Sequence, residues 1–195
     1  MHRVTALVDW DTARRLVPCR TPNTRHIEAV IDRLQTGISN YIRHLDSRAN
    51  YRVYWRVYHG WHQGRTKTQD RVLFDAFLTT ASARTLRNIS FSSDFELSGT
   101  LSCGSTRSPI VDTLRMDGLT RQTKQKMVDT LLVCDLLHLA RTRENALLMV
   151  IANDDDFVPA LHTAEAWKAS VIMLHDREHI NDFLSLDGIA ARIAQ

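Results

Sequence analysis

Two spacings of apolar residues alternate along the chain, one typical of β-strands and the other typical of α-helices. Short apolar or alternating runs predict strands over residues 2–11, 51–60, 88–97, 146–152 and 170–174. A repeat of apolar residues every three or four positions predicts helices over residues 24–45, 69–86, 124–141 and 157–169, with one or two short helices in residues 179–195. Strands that alternate with helices in this order indicate an α/β fold with a mainly parallel sheet.

Residues 97–123 interrupt this alternation. Periodicity fades there while Ser, Thr and Gly accumulate, and residues 110–118 are a candidate extended piece within the segment. We interpret the segment as an insertion on the functional side of the fold, because irregular surface segments often carry function. A length of 195 residues suits one core, so the predicted organisation is a single domain over residues 1–195.

Composition narrows the class of protein. With 44% hydrophobic and 24% charged residues, the chain has an ordinary globular composition, which argues against a disordered protein. Its apolar runs are shorter than the roughly 18 residues of a membrane span, and the N-terminus lacks the features of a signal peptide. We therefore expect no membrane partner and a cytoplasmic location. Three cysteines without a Cys-x-x-Cys pair indicate no zinc site, and a net charge of +3 is compatible with a nucleic-acid partner.

A run of three carboxylates follows directly after the predicted strand of residues 146–152. Like charges this close raise one another's pKa and destabilise the fold unless a cation neutralises them. Alternation along an extended chain puts Asp154 and Asp156 on one face and directs Asp155 away from it. The run is therefore either a solvated turn, in which Asp154 or Asp156 caps a helix, or part of a metal site.

Further carboxylates are expected near the same place. Asp9 and Asp11 end the first strand, and the carboxyl ends of parallel strands meet at the edge of the sheet where ligands bind. Asp129 begins the predicted apolar helix, where a carboxylate usually has a metal ion or a hydrogen-bond partner. Asp135 lies about 240° around that helix from Asp129, so we expect a hydrogen bond to neighbouring backbone instead of the same ion. Helix capping is the structural alternative for Asp9.

Three of these segments resemble the NYN domains, a branch of the PIN-like ribonucleases. The residues ALVDWDTAR resemble the family's first strand with its terminal aspartate. The residues KQKMVDTLLVCDLLHLA resemble its helix, in which a lysine shortly precedes a Val-Asp pair and a second aspartate follows six residues later. The residues VIANDDDFVPALHTAEAWKASVIML resemble a strand ending in a small residue, an Asp-x-Asp-Phe turn, a proline-containing helix and a last strand. Thr12 stands where the family often has asparagine, and Asn153 where glycine is frequent.

The resemblance implies a PIN-like (Rossmann-like) three-layer sandwich and a metal-dependent endoribonuclease that uses Mg²⁺ or Mn²⁺. The catalytic and metal-binding carboxylates that it implies are Asp9, Asp129, Asp154 and Asp156. Accessory roles are expected for Asp11, Thr12, Asn153, Asp155 and Asp135. Substrate contacts are expected from Lys124, Lys126 and Arg14. The partners implied are RNA, single-stranded or structured, and a second copy of the chain in a homodimer.

The chemistry of these side chains agrees with that assignment. Carboxylate oxygens suit Mg²⁺ or Mn²⁺, and one ion or a pair about 4 Å apart would polarise the scissile phosphate and activate a water for attack. Trp10, Tyr58 and Trp61 could stack on unpaired bases, although aromatic residues on strands usually belong to the core.

Two other functions stay open. A haloacid-dehalogenase-type phosphatase would use VDWDT at residues 8–12, Lys126 and the acidic pair at residues 154–155. Ala13 stands where that family usually has Thr or Val, and Asp129 would have no role. The other alternative is a PIN-like module that binds RNA or a protein without cutting, although the carboxylates that such a module would lack are all present here.

Overall fold

The computed structural model describes residues 1–98, 101, 113–118, 123–142, 146–177, 186 and 188–193. The strands in these ranges are β1 (His2–Asp9), β2 (Tyr51–Tyr58), β3 (His62–Gln63), β4 (Thr66–Lys67), β5 (Arg84–Leu86), β6 (Ile89–Leu97), β7 (Leu114–Met116), β8 (Thr123–Gln125), β9 (Ala146–Ile151), β10 (Ser170–His175) and β11 (Ala190–Arg192). The helices are α1 (Trp10–Ala13), α2 (Thr24–Leu45), α3 (Gln69–Leu78), α4 (Val128–Thr142) and α5 (Val158–Ala166). Two short 3-10 turns, Arg14–Leu16 and Asp155–Phe157, follow α1 and precede α5.

Seven strands form the central sheet in the order β11-β10-β9-β1-β2-β6-β5. Neighbouring strands pair in parallel, except that β5 and β6 are antiparallel. From β1 the chain builds β2 and β6 on one side of the sheet and then returns to build β9 and β10 on the other. The topological switch point therefore lies between β1 and β9, and ligands of open α/β sheets bind at the carboxyl ends of such strands.

Helices cover both faces of this sheet. One apolar core joins α2 and α3 to Val4, Ala6 and Val8, and a second joins α4 and α5 to Leu7 and Val150. Successive residues of β1 thus point to different cores, which explains why this strand is apolar without a polar face. The predicted α/β fold with a mainly parallel sheet is confirmed, and its layers are compatible with the predicted three-layer sandwich.

The most periodic elements match their predicted bounds. Helix α2 spans residues 24–45, as its apolar repeat predicts. Asn23 is its cap, because its side-chain oxygen accepts a hydrogen bond from the backbone N–H of His26 at 3.0 Å. Helix α3 is shorter than predicted and ends at Leu78. The hydroxyls of Thr79 and Thr80 donate to carbonyls of its last turn, and residues 84–86 form β5 instead of continuing the helix.

The start of the predicted helix at residues 124–141 is also wrong. Residues 123–125 form β8, which pairs antiparallel with β7 in a hairpin, and α4 begins only at Val128. Met127 has a φ of 66°, a left-handed conformation that cannot continue a helix. Lys124 and Lys126 therefore lie before the helix. Of the extended piece predicted at residues 110–118, residues 114–116 are confirmed as β7, and residues 110–112 lie outside the described residues.

The end of the chain adds a strand where a helix is predicted. Residues 190–192 form β11, which pairs in parallel with β10 and is the edge strand on this side of the sheet. Residues 179–185 of the same prediction lie outside the described residues. None of the helices in the part of the chain that the structure describes is long and apolar enough to cross a membrane.

Candidate functional site

A cleft of about 450 Å³ opens at the carboxyl ends of β1 and β9, the switch point of the sheet. Its described lining consists of Asp9, Asp11, Thr12, Arg15, Gln125, Asp129, Asn153, Asp154 and Asp155. These residues belong to three segments that are far apart along the chain: the junction of β1 and α1, the junction of β8 and α4, and the turn after β9. The fold therefore brings the predicted acidic clusters together.

Asp9 caps a short helix. Its carboxylate accepts hydrogen bonds from the backbone N–H groups of Asp11 and Thr12, both at 3.1 Å, and from the hydroxyl of Thr12 at 2.6 Å. Helix α1 begins directly at Trp10, so the extended alternation that would align Asp9 with Asp11 is wrong. The capping alternative for Asp9 is confirmed. A carboxylate has about four acceptor sites, so these three bonds leave capacity for a cation.

Thr12 and Asn153 tie the ends of three strands together. The hydroxyl of Thr12 accepts a hydrogen bond from the backbone N–H of Asn153 at 3.0 Å. The side-chain oxygen of Asn153 accepts one from the backbone N–H of Asp176, after β10, at 2.8 Å. Thr12 is buried, and its oxygen joins Asp9 to the turn after β9. These two residues hold the cleft in shape through contacts within the protein.

The three aspartates after β9 do not alternate as an extended chain would. Residues 155–157 form a 3-10 turn, which Asp154 caps by accepting a hydrogen bond from the backbone N–H of Asp156 at 3.0 Å. Asp155 lines the cleft and forms an ion pair with Arg177, so the prediction that it points away is wrong. Asp156 is exposed and does not belong to the described lining. The reason is local: a turn rotates successive side chains by about 120°, while a strand rotates them by 180°.

Asp129 lies in the first turn of α4, across the cleft from these residues. Burial raises its pKa, and the negative charges of Asp9, Asp154, Asp156 and Asp11 raise it further. Burial likewise raises the pKa of Asp9 more than its hydrogen bonds lower it. The predicted carboxylates therefore repel one another, and a cation between them would relieve that repulsion.

The donor set fits a particular kind of metal site. Carboxylate oxygens are the preferred ligands of Mg²⁺, which keeps several waters and binds through one or two carboxylates. No three acidic, histidine or cysteine side chains among the described residues lie close enough together to cage an ion directly. The described residues thus form no closed metal cage, and a divalent ion in the cleft would depend on one or two carboxylates and its own waters.

Asp135 lies elsewhere. It is fully buried, and its Oδ2 accepts hydrogen bonds from Arg56 Nε at 2.5 Å and from the hydroxyl of Tyr58 at 2.9 Å. Arg56 also pairs with Glu96 on β6. The predicted structural hydrogen bond of Asp135 is confirmed, and these two partners are side chains of β2, where a neighbouring backbone group is predicted. An accessory role at the cleft is not supported, since Asp135 does not belong to the described lining.

A polar network that the sequence reasoning missed supports the cleft wall at Asp11. Arg14 forms an ion pair with Asp11, and Gln125 Nε2 donates a hydrogen bond to the same carboxylate. His59 is buried, with Nε2 3.1 Å from Asp70 Oδ2 and Nδ1 3.6 Å from Asp11 Oδ2. Arg14 Nη1 also lies 3.3 Å from Asp70 Oδ2. In the sequence, His59 lies at the carboxyl end of a predicted strand, and this position is the signal that could have identified it as part of the site.

The side chains of this network stabilise one another's ionised forms. Burial alone would raise the pKa of Asp11, but the nearby His59 and the charge of Arg14 hold it below its usual value. Burial alone would lower the pKa of His59, but Asp11 and Asp70 raise it above its usual value. The hydrogen bond from His59 lowers the pKa of Asp70. Asp11 is thus compensated within the protein, in contrast to Asp9 and Asp129.

The predicted substrate contacts are either paired with carboxylates or lie outside the described lining of the cleft. The guanidinium of Arg14 is occupied by two carboxylates, and Lys124 Nζ pairs with Asp117 Oδ2 at 2.7 Å in the β7–β8 hairpin. Lys126 is exposed outside the described lining, whereas Arg15 belongs to it. The expectation that aromatic residues on strands belong to the core is confirmed for Trp10, Tyr58 and Trp61, which are at most 1% exposed and so offer no stacking face.

No protein family model matches the chain, and neither a curated protein nor a solved structure does. Fold and cleft by themselves define an α/β protein with a mostly parallel sheet and an acidic site at its switch point.

Proposed function

We propose that the chain is a metal-dependent ribonuclease of the NYN branch of the PIN-like fold, with Mg²⁺ or Mn²⁺ bound at the acidic cleft. The observation that carries the proposal is the meeting of Asp9, Asp129 and Asp154 from three separate segments at one cleft. Asp9, Asp129 and Asp154 have no ion pair among the described residues, and carboxylates gathered in this way at a switch point suit a divalent ion and a phosphate substrate. RNA as the partner, a homodimer and a cytoplasmic location are proposals of the same origin.

The chain's own residues would divide the work as follows. Asp9 and Asp154 offer carboxylate oxygens to the ion, and Thr12 orients Asp9 through its hydroxyl. Asp129, on the opposite wall, holds a water by hydrogen bonding or completes the shell of the ion. When bound, the ion supplies a Lewis acid for the phosphate and lowers the pKa of a water. Asp156, which is predicted as a ligand of the ion, contributes only its negative charge near Asp129 in this proposal.

The phosphatase alternative has less support. Its required lysine would be Lys126, which is exposed and outside the described cleft lining. Its second aspartate would be Asp11, whose carboxylate is occupied by Arg14 and Gln125. Asp129 would again have no role, although it lines the cleft.

Cleavage of single-stranded RNA tests the proposal. We expect cleavage with Mg²⁺ or Mn²⁺, none with EDTA, and no hydrolysis of a small phosphomonoester. The ion's contribution is worth several kcal/mol, so Asp154→Asn should lower kcat at least about a hundredfold. Glu28→Gln, an exposed carboxylate on α2 outside the cleft, is the matched control and should keep full activity.

Three results would contradict the proposal. Cleavage that survives Asp154→Asn or chelation would show that the cleft is not the active site. Hydrolysis of the phosphomonoester in preference to RNA would favour the phosphatase. Tight binding of RNA, with no cleavage in the presence of either Mg²⁺ or Mn²⁺, would favour the non-cleaving module.

A further inference from the structure

Two adjacent arginines follow α1, and their surroundings differ. Arg14 forms an ion pair with Asp11, and its Nη1 lies 3.3 Å from Asp70 Oδ2. Its guanidinium is therefore held by two carboxylates of the network behind the cleft. These two carboxylates already compensate the charge of Arg14, which reduces its attraction for a substrate phosphate.

Arg15 is free of such constraints within the described part of the chain. It is exposed, it lies in the 3-10 turn Arg14–Leu16, and it belongs to the described lining of the cleft. Its charge helps to lower the pKa of Asp11, which places it near that wall, but no ion pair joins it to a carboxylate of the described residues. A flexible cation therefore stands at the rim of a carboxylate-rich cleft.

The other basic side chains near the cleft do not compete for this role. Lys124 is paired with Asp117 in the hairpin, and Arg177 is paired with Asp155 on the opposite wall. Lys126 is exposed and does not belong to the described lining of the cleft. Among the described residues that line the cleft, Arg15 is the only one with a positive charge.

We infer that Arg15 binds a backbone phosphate of the nucleic acid and so positions the strand across the acidic cleft, a role that rests on the proposed function. A phosphodiester approaching this cleft meets several carboxylates, whose repulsion only a cation can offset. The planar guanidinium matches a phosphate through two parallel N–H···O hydrogen bonds, which a lysine cannot form. The strand therefore enters along the wall formed by α1 and its following turn.

Binding of RNA at several salt concentrations tests this role. A labelled polyuridine oligonucleotide is bound in the presence of Ca²⁺, and a gel verifies that it stays intact during the fluorescence-anisotropy measurement. Arg15→Ala should weaken binding about fivefold to tenfold. It should also reduce the slope of log Kd against log salt by about 0.7, the value of one phosphate contact on a single strand. A residue that acts only on folding would leave that slope unchanged.

Two further variants sharpen the measurement. Arg48→Ala removes an exposed arginine between α2 and β2, at the amino ends of the strands, whereas the cleft lies at their carboxyl ends. This variant should match the wild type in both Kd and slope. Arg15→Lys should restore most of the slope, because the charge remains, but only part of the affinity, because the paired hydrogen bonds are lost. Thermal unfolding of each variant verifies that the fold is intact.

The outcomes separate this inference from the proposed function. If the wild type cleaves RNA and Arg15→Ala keeps its Kd, KM and salt slope, the role of Arg15 is overturned and the ribonuclease stands. If the wild type binds RNA with the Arg15-dependent slope but does not cleave it with Mg²⁺ or Mn²⁺, the role of Arg15 stands and the proposed ribonuclease activity is contradicted. A wild type that binds no RNA at low salt overturns the role of Arg15.

Discussion

Two aspartates of the same helix lie in opposite surroundings. Asp135 is fully buried in α4 and receives hydrogen bonds from Arg56 and Tyr58. Asp129, six residues earlier, lines the acidic cleft, and its pKa is raised by burial and by the charges of other carboxylates. Both follow the same apolar pattern in the sequence, so the pattern alone cannot distinguish them.

The difference teaches how to tell a structural carboxylate from a functional one. A buried charge is tolerated when a partner compensates it, and Asp135 has such partners within the protein. Burial raises the pKa values of Asp129 and Asp9, neighbouring carboxylates raise them further, and no ion pair with either residue is present among the described residues. An uncompensated carboxylate cluster at a switch point is a place where a ligand would supply the missing positive charge.

The largest effect is expected from breaking the compensated pair. Asp135→Asn should lower the free energy of unfolding by about 3 kcal/mol, because the buried Arg56 would lose its buried carboxylate partner and keep only the exposed Glu96. Urea unfolding measures the loss. Asp129→Asn is the comparison within the same helix and should leave stability unchanged or slightly higher, since it removes a repelled charge. Equal losses in both variants would show that the two aspartates are not distinguished by compensation.

The second effect concerns the uncompensated side of the comparison. Mg²⁺ or Mn²⁺ at about a hundredfold above its Kd should stabilise the folded chain by about 2.7 kcal/mol, since the ion binds the folded state. Thermal or urea unfolding with and without the ion measures this gain. Asp154→Asn should remove most of it, whereas Glu28→Gln should retain it. A gain that is the same in both variants would place ion binding outside the cleft.

A smaller effect is expected where a titratable cation compensates the carboxylates. His59→Gln should cost about 1 kcal/mol near slightly acidic pH, because the charged hydrogen bond to Asp70 is lost. The pKa of His59 is raised in the folded chain, so its stabilisation is complete below its ordinary value of 6.5 and disappears as the pH rises through the folded-state value. The difference between wild type and variant should therefore shrink toward alkaline pH.

Unfolding free energies at a series of pH values around neutrality measure this trend. His162→Gln, a substitution of an exposed histidine on α5, is the control and should follow the wild type. Asp70 has a lowered pKa, so its stabilisation is lost as the pH falls below the ordinary carboxylate range. If the difference in unfolding free energy between the wild type and His59→Gln stayed constant across neutral pH, the result would contradict a charged His59 in the folded chain.

Long elements could be predicted because each repeats its apolar signal many times. The bounds of α2 and the positions of β1, β9 and β10 follow from that repetition. The end of α3 and the start of α4 could not be predicted, because they depend on single local events. These are the threonine hydroxyls after Leu78 and the left-handed backbone of Met127.

The candidate site divides in the same way. Its location at the carboxyl ends of β1 and β9 could be predicted from strand polarity, and Asp9, Asp129 and Asp154 do line one cleft. The orientations of Asp11 and Asp155 could not be predicted, because short turns replace the extended backbone on which alternation depends.

The sequence by itself determined the α/β order, the buried strands and the edge of the sheet where carboxylates gather, because these depend on periodicity and on the direction of the chain. Only the tertiary structure decided which charges are compensated. Arg56, which compensates Asp135, and His59, which adds to the compensation of Asp11 by Arg14, lie far from these aspartates along the chain, and a Coulombic or hydrogen-bonded contact depends on distance in space.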